Sequence, residues 1–193
     1  MHNANTKKGV TIMNVTERIS MYKYYNSIAL RGEIVVYGST YMANFPFYEL
    51  SQKYLLSNAI YNRSVEGLDL KTAEEGLQTC VIDAAPDKVF LALGEQDIEN
   101  PCAIEIYERI LTKIQDKCPH CKIYVFSIPG ETKNIELFNK NLKQLATQKK
   151  VNYVEIQYRW ADKTNPLAAV FKQMLPFFRN RKITMMEAFA VER

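Results

Sequence analysis

The sequence has little of several things that would have settled its chemistry at once. It has two histidines, His2 and His120, and one tryptophan in 193 residues. It carries no Gly-rich phosphate loop, which excludes the common nucleotide cradles. It holds no cluster with metal-ligand spacing, so neither a metal nor a cofactor is expected. No apolar run approaches the ~20 residues that cross a bilayer, so no membrane span is expected. Residues 1–13 are polar and lack an apolar core segment, so no secretory signal is read there and a cytoplasmic location is expected. Positive charge is thinly spread. The net charge is +4, and the basic residues form only short clusters such as Lys7-Lys8, Lys149-Lys150 and Arg179 to Lys182. A nucleic-acid surface needs a denser stripe, so none is expected. There is no internal repeat, low-complexity stretch or linker. Residues 1–13 read as a flexible tail and residues 14–193 as a single domain, and the 47% hydrophobic composition suffices for a full core.

The four cysteines are Cys80, Cys102, Cys118 and Cys121. Free thiols are the default without an export signal. Cys118-Pro119-His120-Cys121 has the spacing of a redox motif, but that chemistry needs a thiol at a helix N-terminus. This pair follows a helical pattern and precedes a strand, where the helix dipole has the opposite sign. A zinc site would need two further ligands, with Cys80 and Cys102 the sulfur candidates. A structural loop is the leading reading, with the redox and metal readings left open.

What the chain does have is regular alternation. Asn14-Val15-Thr16-Glu17 reads as a helix start with a capping box, the helix running to about Leu30. Ile34 to Tyr37 is a β-branched run that reads as a strand buried on both faces. Gly38, Ser39 and Thr40 follow, with Gly38 read as freeing the backbone for a sharp turn. Tyr41 to Phe47 reads as an aromatic loop. Helices are expected over about 48–56, 69–84, 101–117, 134–149 and 166–178, and strands at 58–61, 88–93, 122–127 and 151–156. Thr184-Met185-Met186-Glu187 is a second capping box, which predicts a closing helix. This order predicts an α/β fold, a parallel sheet of about five strands with helices on both faces. Ligands bind beyond the carboxyl ends of such strands, which is where Thr40 falls.

The punctuation after these strands resembles the SGNH (GDSL-type) hydrolase family over nearly the whole chain. The resemblance implies a flavodoxin-like three-layer sandwich. It implies that Gly38-Ser39-Thr40 matches the family's Gly-Asp-Ser block, with Thr40 at the nucleophile position. Asn62 to Gly67 matches the block whose glycine N–H binds the oxyanion, which assigns that role to Gly67. Gly94-Glu95-Gln96-Asp97 matches Gly-x-Asn-Asp, with Gln96 in place of the second oxyanion donor. The family's last block is Asp-x-x-His just before the final helix. The match is read at Arg179-Asn180-Arg181-Lys182, which puts Arg179 on the Asp and Lys182 on the His. Ser39 is a weaker ligand-binding candidate, and Glu95 and Asp97 read as structural.

Hydrolysis by this route needs a nucleophile, a proton acceptor and an oxyanion hole. Thr40 keeps a hydroxyl, though its methyl restricts χ1. Gly67 N–H and the backbone N–H near Thr40 remain as donors. His120 precedes the fourth strand, on the amino edge of the sheet. Two readings follow. The first is a protein that has lost most or all activity and binds a small-molecule ligand or acylated substrate, with Arg179, Arg181 and Lys182 near Gly67 suiting an anionic group. The second is an active carboxylic-ester hydrolase or deacetylase using Thr40 with a base such as Lys182.

Overall fold

The β-branched and aromatic runs form a sheet whose two faces are both covered. The computed structural model describes residues 14–157 and 166–179. Its strands are β1 (Ile34–Gly38), β2 (Ile60–Asn62), β3 (Lys88–Ala92), β4 (Lys122–Phe126) and β5 (Asn152–Val154). All pair in parallel, in the order β2-β1-β3-β4-β5. This is the flavodoxin-like order, which reverses between β1 and β3 and opens a crevice there. Ile34 lies beside both Ile60 and Lys88, and Lys88 beside Lys122, so the amino ends of the central strands are level.

The helices are α1 (Val15–Ile28), α2 (Thr40–Ala43), α3 (Phe47–Lys53), α4 (Leu70–Cys80), α5 (Ala103–Lys117), α6 (Lys133–Gln148) and α7 (Pro166–Phe178). Alternation along the strands divides the core in two. Val35, Tyr37, Val89, Leu91 and Val125 pack with α1, α4, α5 and α6. Ile34, Val36, Phe90 and Phe126 pack with α2, α3 and α7. The second core is strongly aromatic. Phe171 stacks on Tyr54 at 5.5 Å, and Phe178 meets Phe90 edge-on at 4.5 Å.

Caps set several helix starts. Asn14 Oδ1 accepts the Glu17 N–H at 2.8 Å and Glu17 Oε2 accepts the Asn14 N–H at 3.0 Å, the expected capping box. Asp69 caps α4 by accepting from Thr72 N–H at 2.7 Å. That helix stops at Cys80, short of the expected Ala84; a 3-10 turn follows and Ala85 takes a left-handed φ of 44°. The expected aromatic loop at 41–47 is instead mostly helical. Met42, Phe45 and Phe47 are buried in the second core, and this tertiary contact orders the segment. The capping box at Thr184 lies outside the described residues.

α7 ends on a buried lysine. Lys88 Nζ donates to the carbonyls of Phe177 at 2.7 Å, Phe178 at 3.3 Å and Arg179 at 2.8 Å. These are carbonyls that a helix end leaves without intrahelical partners. Because Lys88 opens β3, this contact places the end of α7 and Arg179 at the amino edge of the sheet.

Cys118 ends α5, and Cys121 N–H donates to Cys118 O at 2.9 Å across a tight loop. Burial pushes the Cys121 thiol up to about 12 and raises Cys118 as well, the opposite of an activated thiolate. Alkylation at neutral pH, followed by mass spectrometry, is expected to label the exposed Cys102 first. Faster labelling of Cys118 or Cys121 would restore the redox reading. Among the described residues no group of three or more His, Cys, Asp or Glu side chains is placed to hold a metal ion, and no helix is long and apolar enough to cross a membrane.

Candidate functional site

The carboxyl ends of β1 and β3 approach closely. A Cβ on Gly38 would meet Ala92 O at 2.9 Å and Met42 Cβ at 3.0 Å. Gly38 does not have a left-handed φ. Glycine is needed here for room between strand and helix, rather than for the turn freedom read from the sequence. Ser39 follows as the residue before α2 and is fully buried. Thr40 is the first residue of α2 and is exposed at the edge of the sheet.

Thr40 Oγ1 accepts the Gly67 N–H at 3.0 Å and, more weakly, Gln96 Nε2–H at 3.4 Å. Three residues singled out from the sequence, Thr40, Gly67 and Gln96, therefore meet at one point. Asn62 holds the loop of Gly67 to α2. Its Nδ2 donates to Met42 O at 2.8 Å and its Oδ1 accepts from Ser64 N–H at 3.1 Å. Tyr22 OH donates to Ser64 O at 3.0 Å, tying the same loop to α1. Arg63 is buried beneath α1, its guanidinium 4.9 Å from the centre of the Tyr22 ring and 5.4 Å from that of Tyr61. It has no carboxylate partner among the described residues; Arg63 NH2 donates to Asn26 Oδ1 at 3.1 Å. Burial lowers its pKa. Asp97 Oδ2 accepts the Leu70 N–H at 2.8 Å, joining the loop after β3 to the start of α4, the structural part expected of it.

Glu95 was not foreseen as a site residue. Its Oε2 accepts the Tyr41 N–H at 3.1 Å. Burial raises its carboxyl pKa, partly offset by the amides of Tyr41 and Thr40 and by the Ser39 hydroxyl. Ser39 Oγ itself makes no hydrogen bond of good geometry. Burial, with Glu95 nearby, pushes the Tyr41 phenol up to about 12. The amide end of α2, read from the sequence as free for an oxyanion, thus already faces a carboxylate of the same chain. Glu95 and Tyr41 are 54 positions apart, and nothing local in the sequence announces their contact.

Of the expected acid–base pair, only Arg179 lies among the described residues, and it is not brought to Thr40. Arg179 sits by Lys88 at the amino edge, and a five-residue strand separates the edges by about 17 Å. Its assignment to the family's Asp is therefore corrected. Arg179 is far from Thr40 because α7 runs away from the carboxyl edge and ends by Lys88. Lys182 and Arg181 lie outside the described residues, as does His2. His120 is exposed just ahead of β4, also at the amino edge. No imidazole stands beside Thr40 among the described residues. The connection leaving the carboxyl end of β5 is 158–165, outside the described residues.

No protein-family model matches this sequence, and no curated protein matches it. Solved structures do. A Streptococcus pneumonia protein provisionally named a platelet activating factor superposes with a TM-score of 0.73 at 20% identity, covering 84% of this chain and 92% of that one. A GDSL-like lipase from Bacteroides thetaiotaomicron gives 0.63 at 13% identity, over 82% and 97%. An acetylxylan esterase from Geobacillus stearothermophilus gives 0.53 at 12% identity, over 74% and 81%. At these identities the likeness establishes the fold, which is that of the GDSL-like lipases and acylhydrolases.

Proposed function

We propose that this chain, built on an ester-hydrolase scaffold, binds a small acylated ligand at Thr40 and hydrolyses it slowly or not at all. One observation carries the reading: Gly67 N–H and the Gln96 amide converge on the Thr40 hydroxyl, and among the described residues no imidazole is beside it to take its proton. The donors suit a carbonyl or ester oxygen at the same point. A missing general base costs on the order of 10²–10⁴ in rate. Gln in place of Asn displaces an amide whose loss in such a hole costs about 10²–10³. The methyl of Thr40 further restricts the hydroxyl. These losses fall on one catalytic unit and do not multiply, but the missing base alone takes the rate far below that of an intact hydrolase.

The test uses a chromogenic acetyl ester with the full chain and its Thr40→Ala variant. Turnover indistinguishable from buffer in both is the expected result. Turnover that disappears in Thr40→Ala would overturn the reading and establish an active carboxylic-ester hydrolase or deacetylase. A base such as Lys182 would then be sought by mutation. Binding is followed separately, through the backbone resonance of Gly67.

A further inference from the structure

We infer that the Thr40 site selects acylated ligands bearing a positive charge and turns away carboxylates, with Glu95 setting that preference. This rests on the reading of Thr40 as a ligand site and adds the charge class of the ligand.

The first ground is Glu95 itself. Its carboxylate is half-buried, faces the amide of Tyr41 at 3.1 Å, and has no ion-pair partner among the described residues. The Ser39 hydroxyl beneath it is fully buried and makes no hydrogen bond of good geometry. An anion arriving at the start of α2 would meet a carboxylate already there. A cation would meet a carboxylate lacking a counter-charge. The carboxylate also changes what the helix start offers, since amides that favour a free anion are already engaged.

The second ground is the sign of the surrounding edge. The connections at the carboxyl ends of the strands expose or half-expose Glu66, Glu95, Glu99, Glu131 and Glu155. Asp69 and Asp97 add to the same sign while capping α4 and holding a loop. Among the described residues of these connections the one cation is Arg63, 4% exposed beneath the tyrosines, while Lys143 of α6 pairs with Glu155 at 3.7 Å. The opposite edge differs: Arg31, Lys149, Lys150, Arg179 and the strand-opening Lys122 outnumber Glu33, Asp83 and Asp87. The described connections at the candidate ligand edge are therefore predominantly negative in a chain whose net charge is +4. Charge of one sign lining a cleft concentrates ligands of the other sign. The anionic ligand expected from the sequence relied on cations near Gly67, and Arg179 is at the far edge.

The experiment compares three acetyl esters of matched size: acetylcholine, its neutral isostere 3,3-dimethylbutyl acetate, and anionic 3-acetoxypropanoate. Each is titrated into the ¹⁵N-labelled full chain while the Gly67 amide resonance is followed. At low salt, acetylcholine is expected to bind about tenfold or more tighter than the isostere, the effect of one nearby carboxylate at an intermediate dielectric, and the anion weakest. Glu95→Gln is expected to bring acetylcholine and the isostere within about threefold of each other, since the amide keeps an acceptor for Tyr41 but loses the charge. Raising ionic strength from about 20 to 300 mM is expected to shrink the wild-type preference. Equal binding of all three esters would leave the ligand site standing and overturn the charge selection. Failure of all three to move Gly67 would overturn the ligand site and this inference with it. A preference undiminished in a folded Glu95→Gln would remove Glu95 from the role. Should that variant not fold by circular dichroism, the wild-type salt series and a Glu66→Gln/Glu99→Gln variant decide the same question.

Discussion

Gly94→Ala is expected to destabilise the protein by about 4 kcal/mol, a large part of the ~5–15 kcal/mol typical of a domain. Gly94 has a φ of 106°, which L side chains rarely adopt. A Cβ there would lie 2.5 Å from Phe138 Cζ and 2.9 Å from its Cε1. Phe138 is 4% exposed in the core beneath α6, so its ring has little room to withdraw. Backbone strain of about 1–3 kcal/mol and overpacking of about 1–3 kcal/mol act together. The displaced loop also carries Glu95, Gln96 and Asp97, so the contacts to Tyr41, Thr40 and Leu70 should weaken with it. Gly67→Ala is the control. Its φ of 72° is also left-handed, but a Cβ there has no heavy neighbour within 4 Å. Its cost should stay near 1 kcal/mol, the penalty for a left-handed L residue alone. Urea unfolding of the two variants measures the difference. Equal losses would mean that the Phe138 contact is not what requires glycine at 94.

Lys88→Met is expected to cost about 3 kcal/mol, because three helix-end carbonyls lose a charged donor at once. The side chain is 4% exposed, so little water can replace it. Burial lowers the lysine pKa, yet donation to Phe177, Phe178 and Arg179 keeps the ammonium satisfied. Met matches the lysine stem in length and apolar character, which isolates the loss of the donor from the loss of packing. Since α7 brings Phe171, Met174 and Phe178 into the second core, loosening its end should show first there. Hydrogen exchange in α7 should accelerate more than in α4 or α5. Wild-type stability in Lys88→Met would show that the carbonyls find other partners and that this contact does not anchor the helix.

The candidate site divides by the range of the contacts that build it. Thr40 and Gly67 were legible because each lies in the connection that leaves the carboxyl end of a strand, and a parallel sheet aligns its strand ends. Gln96 was legible for the same reason. Arg179 was misplaced because its register depended on the direction of α7, and helix periodicity does not say at which edge of the sheet a helix ends. Lys88 settles that direction through a contact spanning 91 positions. Glu95 was read as structural, and which backbone group it would hold was not legible. Its contact with the start of α2 exists only once β1 and β3 lie side by side.

The amino-acid sequence alone determined the alternation of strands and helices, their parallel sense and the edge at which Thr40, Gly67 and Gln96 meet. These follow from local periodicity, capping and short connections, which need no partner element to be read. Only the tertiary structure decided at which edge of the sheet α7 ends, that residues 41–43 and 47 are helical, and that a carboxylate faces the amide end of α2. Each depends on side chains brought together from distant positions, and hydrogen bonding and burial act on distance in space, not on order along the chain.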